Sequence, residues 1–234
     1  MAAMDFSGWE KLSLVDYDDC LTTTLFVAGC NFRCPFCHNG GLVLPKGKPT
    51  TIPWETIYGY LKKRTRELDG VCVSGGEPTL MPDLAEKLTQ IKSLGYKVKL
   101  DTNGSNPDIL SSLIKQGLVD HVAMDIKNSQ AKYASTVGLS SLGLSKIEAS
   151  VSLLMQSGIS YEFRTTLIQE FHSREDIEEI SSWLSGTKKY YLQRFIDSPN
   201  CIVKGLHPVS KENAEEYKKI LAKTMDMVEL RGYD

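Results

Sequence analysis

No long apolar run, no charge of one sign and no internal repeat marks this chain. Among its 234 residues, 27 lysines and arginines face 29 aspartates and glutamates. Without a basic tract to follow a phosphate backbone, that balance excludes a dedicated nucleic-acid binder. Nowhere do about 18 consecutive apolar residues occur, the length a membrane helix needs. Residues Met1 to Glu10 lack the cationic start and apolar core of a signal peptide, so a cytoplasmic protein is expected. Low-complexity segments and Pro/Gly linkers are missing as well. With 41% hydrophobic and 24% charged residues, the composition is that of an ordered globular chain. A single domain is expected over 1–234, with an extension at 1–20, strand–helix units over 21–196 and a closing segment at 197–234.

A disulfide framework is also lacking. Six cysteines are present, but a reducing compartment keeps thiols free. Cys20, Cys72 and Cys201 stand alone and read as small buried hydrophobes. Cys30, Cys34 and Cys37 fall close together, and that grouping needs another explanation.

What the chain does contain is alternation. Runs rich in β-formers at 22–28, 71–74, 97–101, 121–126, 161–167 and 190–196 are separated by amphipathic stretches of helical period. Pro53 and Pro82 read as first-turn prolines, and Asn106 as a cap before Pro107. Ser145 with Glu148 fits a capping box on a helix closed by Gly158; Ser173 and Ser210 fit caps of the next two helices. Tyr190 and Tyr191 read as strand packing, and His172 and His207 as caps or second-sphere contacts. Strand–helix units in series imply parallel pairing through right-handed crossovers, an α/β fold. Six units fall short of the eight that close a full barrel. An open doubly wound sheet and a partial, splayed barrel both satisfy the pattern.

In either case chemistry collects at the carboxyl ends of the strands. There stand the cysteine group, Gly75-Gly76-Glu77-Pro78, Asp101-Thr102-Asn103-Gly104, Asp125-Ile126-Lys127, Arg164, and Gln193-Arg194. Core packing does not explain polar clusters at every strand end.

The spacing C-x₃-C-x₂-C can wrap three thiolates around one face of a metal centre. A structural zinc would need a fourth ligand. His38 is adjacent in sequence but would have to fold back into the same small loop, and a second-sphere hydrogen bond suits it better. A [4Fe–4S] cluster normally takes four cysteines, so three leave one iron open to a ligand that is not protein. Phe36 fits equally an apolar seam and a stacking role against that ligand.

With these motifs in this order, the chain resembles the radical S-adenosylmethionine (SAM) enzymes over nearly its whole length. Within them it looks most like the activases of glycyl radical enzymes, in particular the activating proteins of anaerobic ribonucleotide reductase. Leu14-Val15-Asp16-Tyr17 and Glu229-Leu230-Arg231-Gly232 carry that subgroup likeness; Asp18-Asp19-Cys20 departs from it, standing where a Pro-Gly turn is expected. The resemblance implies a partial, laterally open (β/α)₆ barrel of parallel strands. It implies a [4Fe–4S] cluster on Cys30, Cys34 and Cys37, with SAM chelating the open iron. Reductive cleavage of SAM then yields methionine and a 5′-deoxyadenosyl radical.

On the same resemblance Gly75, Gly76 and Glu77 receive the SAM amino group, and Phe36 and Leu192 border the ligand. Lys127 and Arg164 neutralise its carboxylate or bond its ribose. Asp101, Thr102, Ala123 and Asp125 hold a sodium or potassium ion beside it, so that Thr102 and Asp125 belong to the cofactor site too. The implied substrate is a glycine in a partner glycyl radical enzyme, and the implied electron donor a flavodoxin or ferredoxin; neither nucleic acid nor membrane is a partner. Arg33, His38 and Lys46 on the cysteine loop are candidates for meeting the partner. Two other readings stay open: a radical SAM enzyme acting on a small molecule or peptide, and a non-catalytic iron–sulfur or zinc protein.

Overall fold

The computed structural model describes residues 6–45, 47 and 50–233. Eight strands follow one another across a single sheet in sequence order. They are β1 (Phe6–Ser13), β2 (Thr22–Val27), β3 (Gly70–Gly75), β4 (Lys97–Thr102), β5 (His121–Asp125), β6 (Ser160–Leu167), β7 (Tyr190–Arg194) and β8 (Val228–Arg231). β1 runs antiparallel to β2, and every later neighbour pair is parallel. β1 and β8 form the two edges, so the sheet does not close. Between and after the strands lie α1 (Gly40–Val43), α2 (Trp54–Lys63), α3 (Leu84–Ser93), α4 (Pro107–Lys115), α5 (Tyr133–Thr136), α6 (Leu144–Gln156), α7 (Arg174–Trp183) and α8 (Lys211–Leu221). None of the described helices is long and apolar enough to cross a membrane.

β2 to β7 are the six strands legible in the sequence. β1 and β8 are additions. An edge strand is paired along one side only and need not be apolar on both faces; β1 exposes Glu10 and Lys11 and hides little besides Phe6 and Ser13. It is pinned instead by polar bonds, Trp9 Nε1 donating to Thr23 Oγ1 (2.8 Å) and Thr23 Oγ1 to Glu10 O (2.8 Å). The link to β2 passes through Asp19 at φ 59°, a left-handed conformation that short polar side chains tolerate better than others.

Period-two alternation divides each strand between two environments. Val71, Val73, Val98, Leu100, Val122, Met124, Phe163 and Leu192 belong to the apolar core. Their alternates, Ser74, Lys99, Asp101, His121, Asp125, Glu162, Arg164 and Gln193, are polar and share the inner face. That inner face ends, at the carboxyl ends of the strands, in the site described next.

Most helix boundaries follow the sequence signals. Ser173 Oγ accepts from Asp176 N–H in a full capping box, and Ser210 Oγ from Asn213 N–H. Gly158 follows α6 with φ +75°, and Pro107 opens α4 behind Asn106. Ser145 corrects the expectation: Gly143 precedes α6, no side chain caps it, and Glu148 accepts from Gln130 instead. Pro53 lies one residue before α2, and Pro82 two before α3. Asn106 turns its amide away from the helix onto Thr79.

Candidate active site

Chain leaving β2 forms the loop 28–39, which carries the three grouped cysteines and is fastened on several sides. Gly29 N–H donates to Leu42 O (2.9 Å), Arg33 N–H to Val137 O (2.8 Å) and, from a distant segment, Val203 N–H to Pro35 O (2.8 Å). Asn39 donates from its side chain to Gly75 O (2.8 Å). His38 Nε2 bonds Ile196 O (2.8 Å) while its ring stacks on Phe195. The Arg33 guanidinium folds back onto Cys30 O and Phe32 O. Both side chains are exposed, yet both are already bonded within the protein. Lys46 lies outside the described residues.

The three cysteines form one wall of a cavity of ≈ 240 Å³. Phe36 lines it too, its ring 5.9 Å from that of Phe171. The rest of the lining includes Gly75 and Gly76, Asp101 with Thr102 and Asn103, Asp125 with Lys127, Arg164 and Gln193. Five strand ends therefore contribute to one site. Burial pushes the Cys34 thiol up to about 12 and raises those of Cys30 and Cys37 as well. These thiols stay protonated until a metal displaces the proton.

Gly75 and Gly76 have a steric duty before any other. Gly75 sits at φ +110°, and a Cβ on Gly76 would run into the Gly29 carbonyl. Their absence of side chains lets Gly76 N–H reach Val27 O (2.8 Å) and Glu77 N–H reach Gly29 O (2.9 Å), which draws the cysteine loop over the end of β3. Glu77 is fully buried. Its carboxylate accepts from Thr79 N–H and Oγ1, from Thr102 Oγ1 (2.7 Å) and from Asn103 N–H (2.7 Å). Burial raises its pKa against the pull of those donors. The structure thus directs Glu77 into the turn after β4 rather than into the cavity.

The charged floor is shared by two carboxylates and two cations. Arg164 Nε donates to Asp125 Oδ1 (3.0 Å) and its Nη1 to Asp101 Oδ2 (3.3 Å). Lys127 Nζ donates to Asp125 Oδ2 (2.9 Å) and Ser74 Oγ to Asp101 Oδ2 (3.0 Å). Burial alone would raise Asp125, but Arg164 and Lys127 outweigh it and hold the carboxyl at about 2. Burial likewise opposes charge on Lys127, and Asp125 overcomes it, raising the ammonium. Asp101 Oδ1 is buried without a hydrogen bond, with Lys99 Nζ 3.6 Å away.

Ala123 and Leu192 are fully buried and stand back from the cavity surface. Leu192 belongs to the core and its neighbour Gln193 faces the site. His172 is buried beside it, Nε2 bonding Lys127 O (2.9 Å) and Nδ1 meeting the Ile168 N–H (3.1 Å). His207 pairs with Glu170 at the surface. Sequence reasoning gave no role to Asn31, Ser74 or Asn103; the clue to each was its place inside or beside a strand-end motif.

Among the described residues no three Cys, His, Asp or Glu side chains converge tightly enough to hold a single metal ion. A zinc tetrahedron with Zn–S near ~2.3 Å would need that, whereas a cluster takes one sulfur per iron. Three cysteine thiols facing one cavity fit such a cluster.

Comparison with known proteins points the same way. The sequence pattern of the radical SAM superfamily matches residues 24–184. A Methanocaldococcus jannaschii protein, named a candidate glycyl-radical enzyme activating enzyme, is 34% identical over 232 residues, 96% of this chain and 95% of its own. Streptococcus suis SuiB, crystallised with S-adenosylmethionine, superimposes with TM-score 0.68 at 13% identity, over 87% of this chain and 48% of that one. A domain of pyruvate-formate lyase-activating enzyme from Bacteroides vulgatus gives TM-score 0.57 at 17% identity, over 70% and 99%. At such identities the two structures speak for the fold.

Proposed function

The chain belongs to the radical SAM superfamily, and from that premise we propose that it is a glycyl-radical-enzyme activase, removing a hydrogen atom from a glycine of a partner protein. The observation that carries the reading is one cavity walled by three cysteines and floored by Asp125, Lys127 and Arg164. Three thiolates would serve three of a cluster's four irons and leave one position to a ligand from outside the protein. Cys30, Cys34 and Cys37 would hold a [4Fe–4S] cluster, which when bound and reduced would supply the electron for cleavage of the SAM sulfonium.

The chain's own part is binding and orientation. Phe36 offers an apolar surface, Gly75 and Gly76 admit the ligand close to the backbone, and Lys127 and Arg164 meet its carboxylate as fixed cations. Asp101 Oδ1, buried and unbonded, supports the further proposal of a sodium or potassium ion held with Thr102, Asp125 and the Ala123 carbonyl, oxygen donors suited to a hard cation. SAM cleavage should then respond to which of these ions is supplied; equal rates with bulky organic cations alone would remove the ion from the account.

The near full-length relative named as an activating enzyme supports a protein substrate. So does a sheet whose edges, β1 and β8, stay apart. The chain works on this reading as one cytoplasmic domain, reduced by a flavodoxin- or ferredoxin-type donor. The test is anaerobic incubation of reduced, cluster-loaded protein with SAM and the glycyl radical enzymes of its host. A doublet in the X-band spectrum, collapsing when the glycine α-hydrogen is deuterated, is the expected result. Turnover of a small molecule with no doublet from any partner would replace the activase reading.

A further inference from the structure

We infer that Asn103 sets the reduction potential of the cluster by donating a hydrogen bond from its side-chain amide to the Cys30 sulfur. The inference rests on the cluster assignment above and is indifferent to the substrate. Asn103 Nδ2 lies 3.7 Å from Cys30 Sγ and 2.9 Å from Asn31 Oδ1. Its amide cannot be turned over, because Oδ1 accepts the Ser105 N–H at 2.9 Å and a reversed amide would present a donor to that donor. Nor can it swing aside. Its backbone N–H is held by Glu77 Oε2 at 2.7 Å, and the residue is buried. Asn31, which takes the second amide proton, is itself anchored through Nδ2 to Ser105 Oγ at 2.8 Å.

Of the three grouped sulfurs, that of Cys30 alone receives a side-chain N–H among the described residues. It also meets the Phe32 backbone N–H at 3.3 Å. Reduction places extra negative charge on the sulfurs of a cluster, so a donor stabilises the reduced form more than the oxidised one and moves the potential positive. The amide itself is buried, which limits screening of its dipole. Glu77 thereby acquires a purpose for its burial. It is a positioning residue that acts on the cluster through Asn103.

A tie that merely joined two loops would hold the cluster without moving its potential, and that difference is measurable. Wild type, Asn103→Ala and Asn31→Ala are reconstituted anaerobically, iron and sulfide are quantified, and the midpoint potential is read by EPR during a mediated reductive titration. At equal cluster content Asn103→Ala should titrate at a more negative potential, with Asn31→Ala, which keeps the N–H···S bond, nearer wild type. An unmoved midpoint in a fully loaded Asn103→Ala protein overturns the inference. Should that variant lose its cluster, the wild-type protein decides. Grown with asparagine carrying ¹⁵N only in the side-chain amide and then reduced, it should show a ¹⁵N coupling to the cluster in pulsed EPR; absence of the coupling overturns the inference. Wild type that binds no cluster at all overturns the functional reading and this inference together, whereas an unmoved midpoint on an intact cluster overturns this inference alone.

Discussion

Arg164 serves two carboxylates at once. Placed between Asp101 and Asp125, it turns two like charges at neighbouring strand ends into a compensated group. The cysteines divide as sharply. Cys34→Ala should lose iron and sulfide on anaerobic reconstitution, whereas Cys201→Ala should keep both, since Cys201 is buried against Phe36 O and Ile196 O. His172 ties pH to the site. Burial lowers its imidazole below the ordinary 6.5, so the folded protein binds that proton less readily than the unfolded chain. Its contribution to stability is complete above that ordinary value and drains away as pH falls from there through the lowered folded value, at about 1.4 kcal/mol per unit of depression. His172→Gln should flatten the fall of Tm on acidification, whatever it does to Tm at neutral pH; an unchanged slope would mean another group is responsible.

At the scale of the element, the two serine caps foreseen in the closing half and the one that failed make a controlled comparison. Ser173 and Asp176 satisfy each other's orphan donors at the start of α7, so Ser173→Ala should cost about 1 kcal/mol. Ser145 lies inside α6 with no capping bond, and Ser145→Ala should leave stability within about 0.5 kcal/mol of wild type. Thermal melts of the two variants side by side check both. The motif is the same in each case. What separates them is whether the chain enters the helix at that residue: α7 begins just after Ser173, whereas α6 has already begun at Leu144.

Across the whole molecule, the inner face of the sheet carries an ionic lattice from the cavity floor to the opposite end. Glu162 is its hub, with Lys99 at 3.6 Å, His121 at 3.5 Å, Arg231 at 3.4 Å and Arg164 at 3.9 Å. Burial opposes charge on Glu162, but His121, Lys99 and the two arginines hold it well below the usual carboxylate range. From Arg231 the chain of charge continues to Asp18 and Lys189. Removing one member of such a lattice strands the others. Glu162→Ala should therefore lose about 3–5 kcal/mol of unfolding free energy, read from urea denaturation of the metal-free protein, and a loss too small to measure would show that water already solvates the lattice.

Local rules carried the sequence a long way. Runs rich in β-formers between stretches of helical period located β2 to β7, and cysteine spacing located the cysteine loop, because both are written in near neighbours. The edges escaped: β1 is half exposed and β8 has four residues, and only pairing with β2 and β7 makes them strands. The site divides in the same way. That Cys30, Asp101, Asp125 and Arg164 meet follows from their positions at strand ends. That Glu77 turns inward and that Asn103 reaches a sulfur 73 residues away in the chain depended on the close approach of β3 to the cysteine loop. Gly75 and Gly76 permit that approach, and it is a contact between segments remote in sequence, which no local periodicity records.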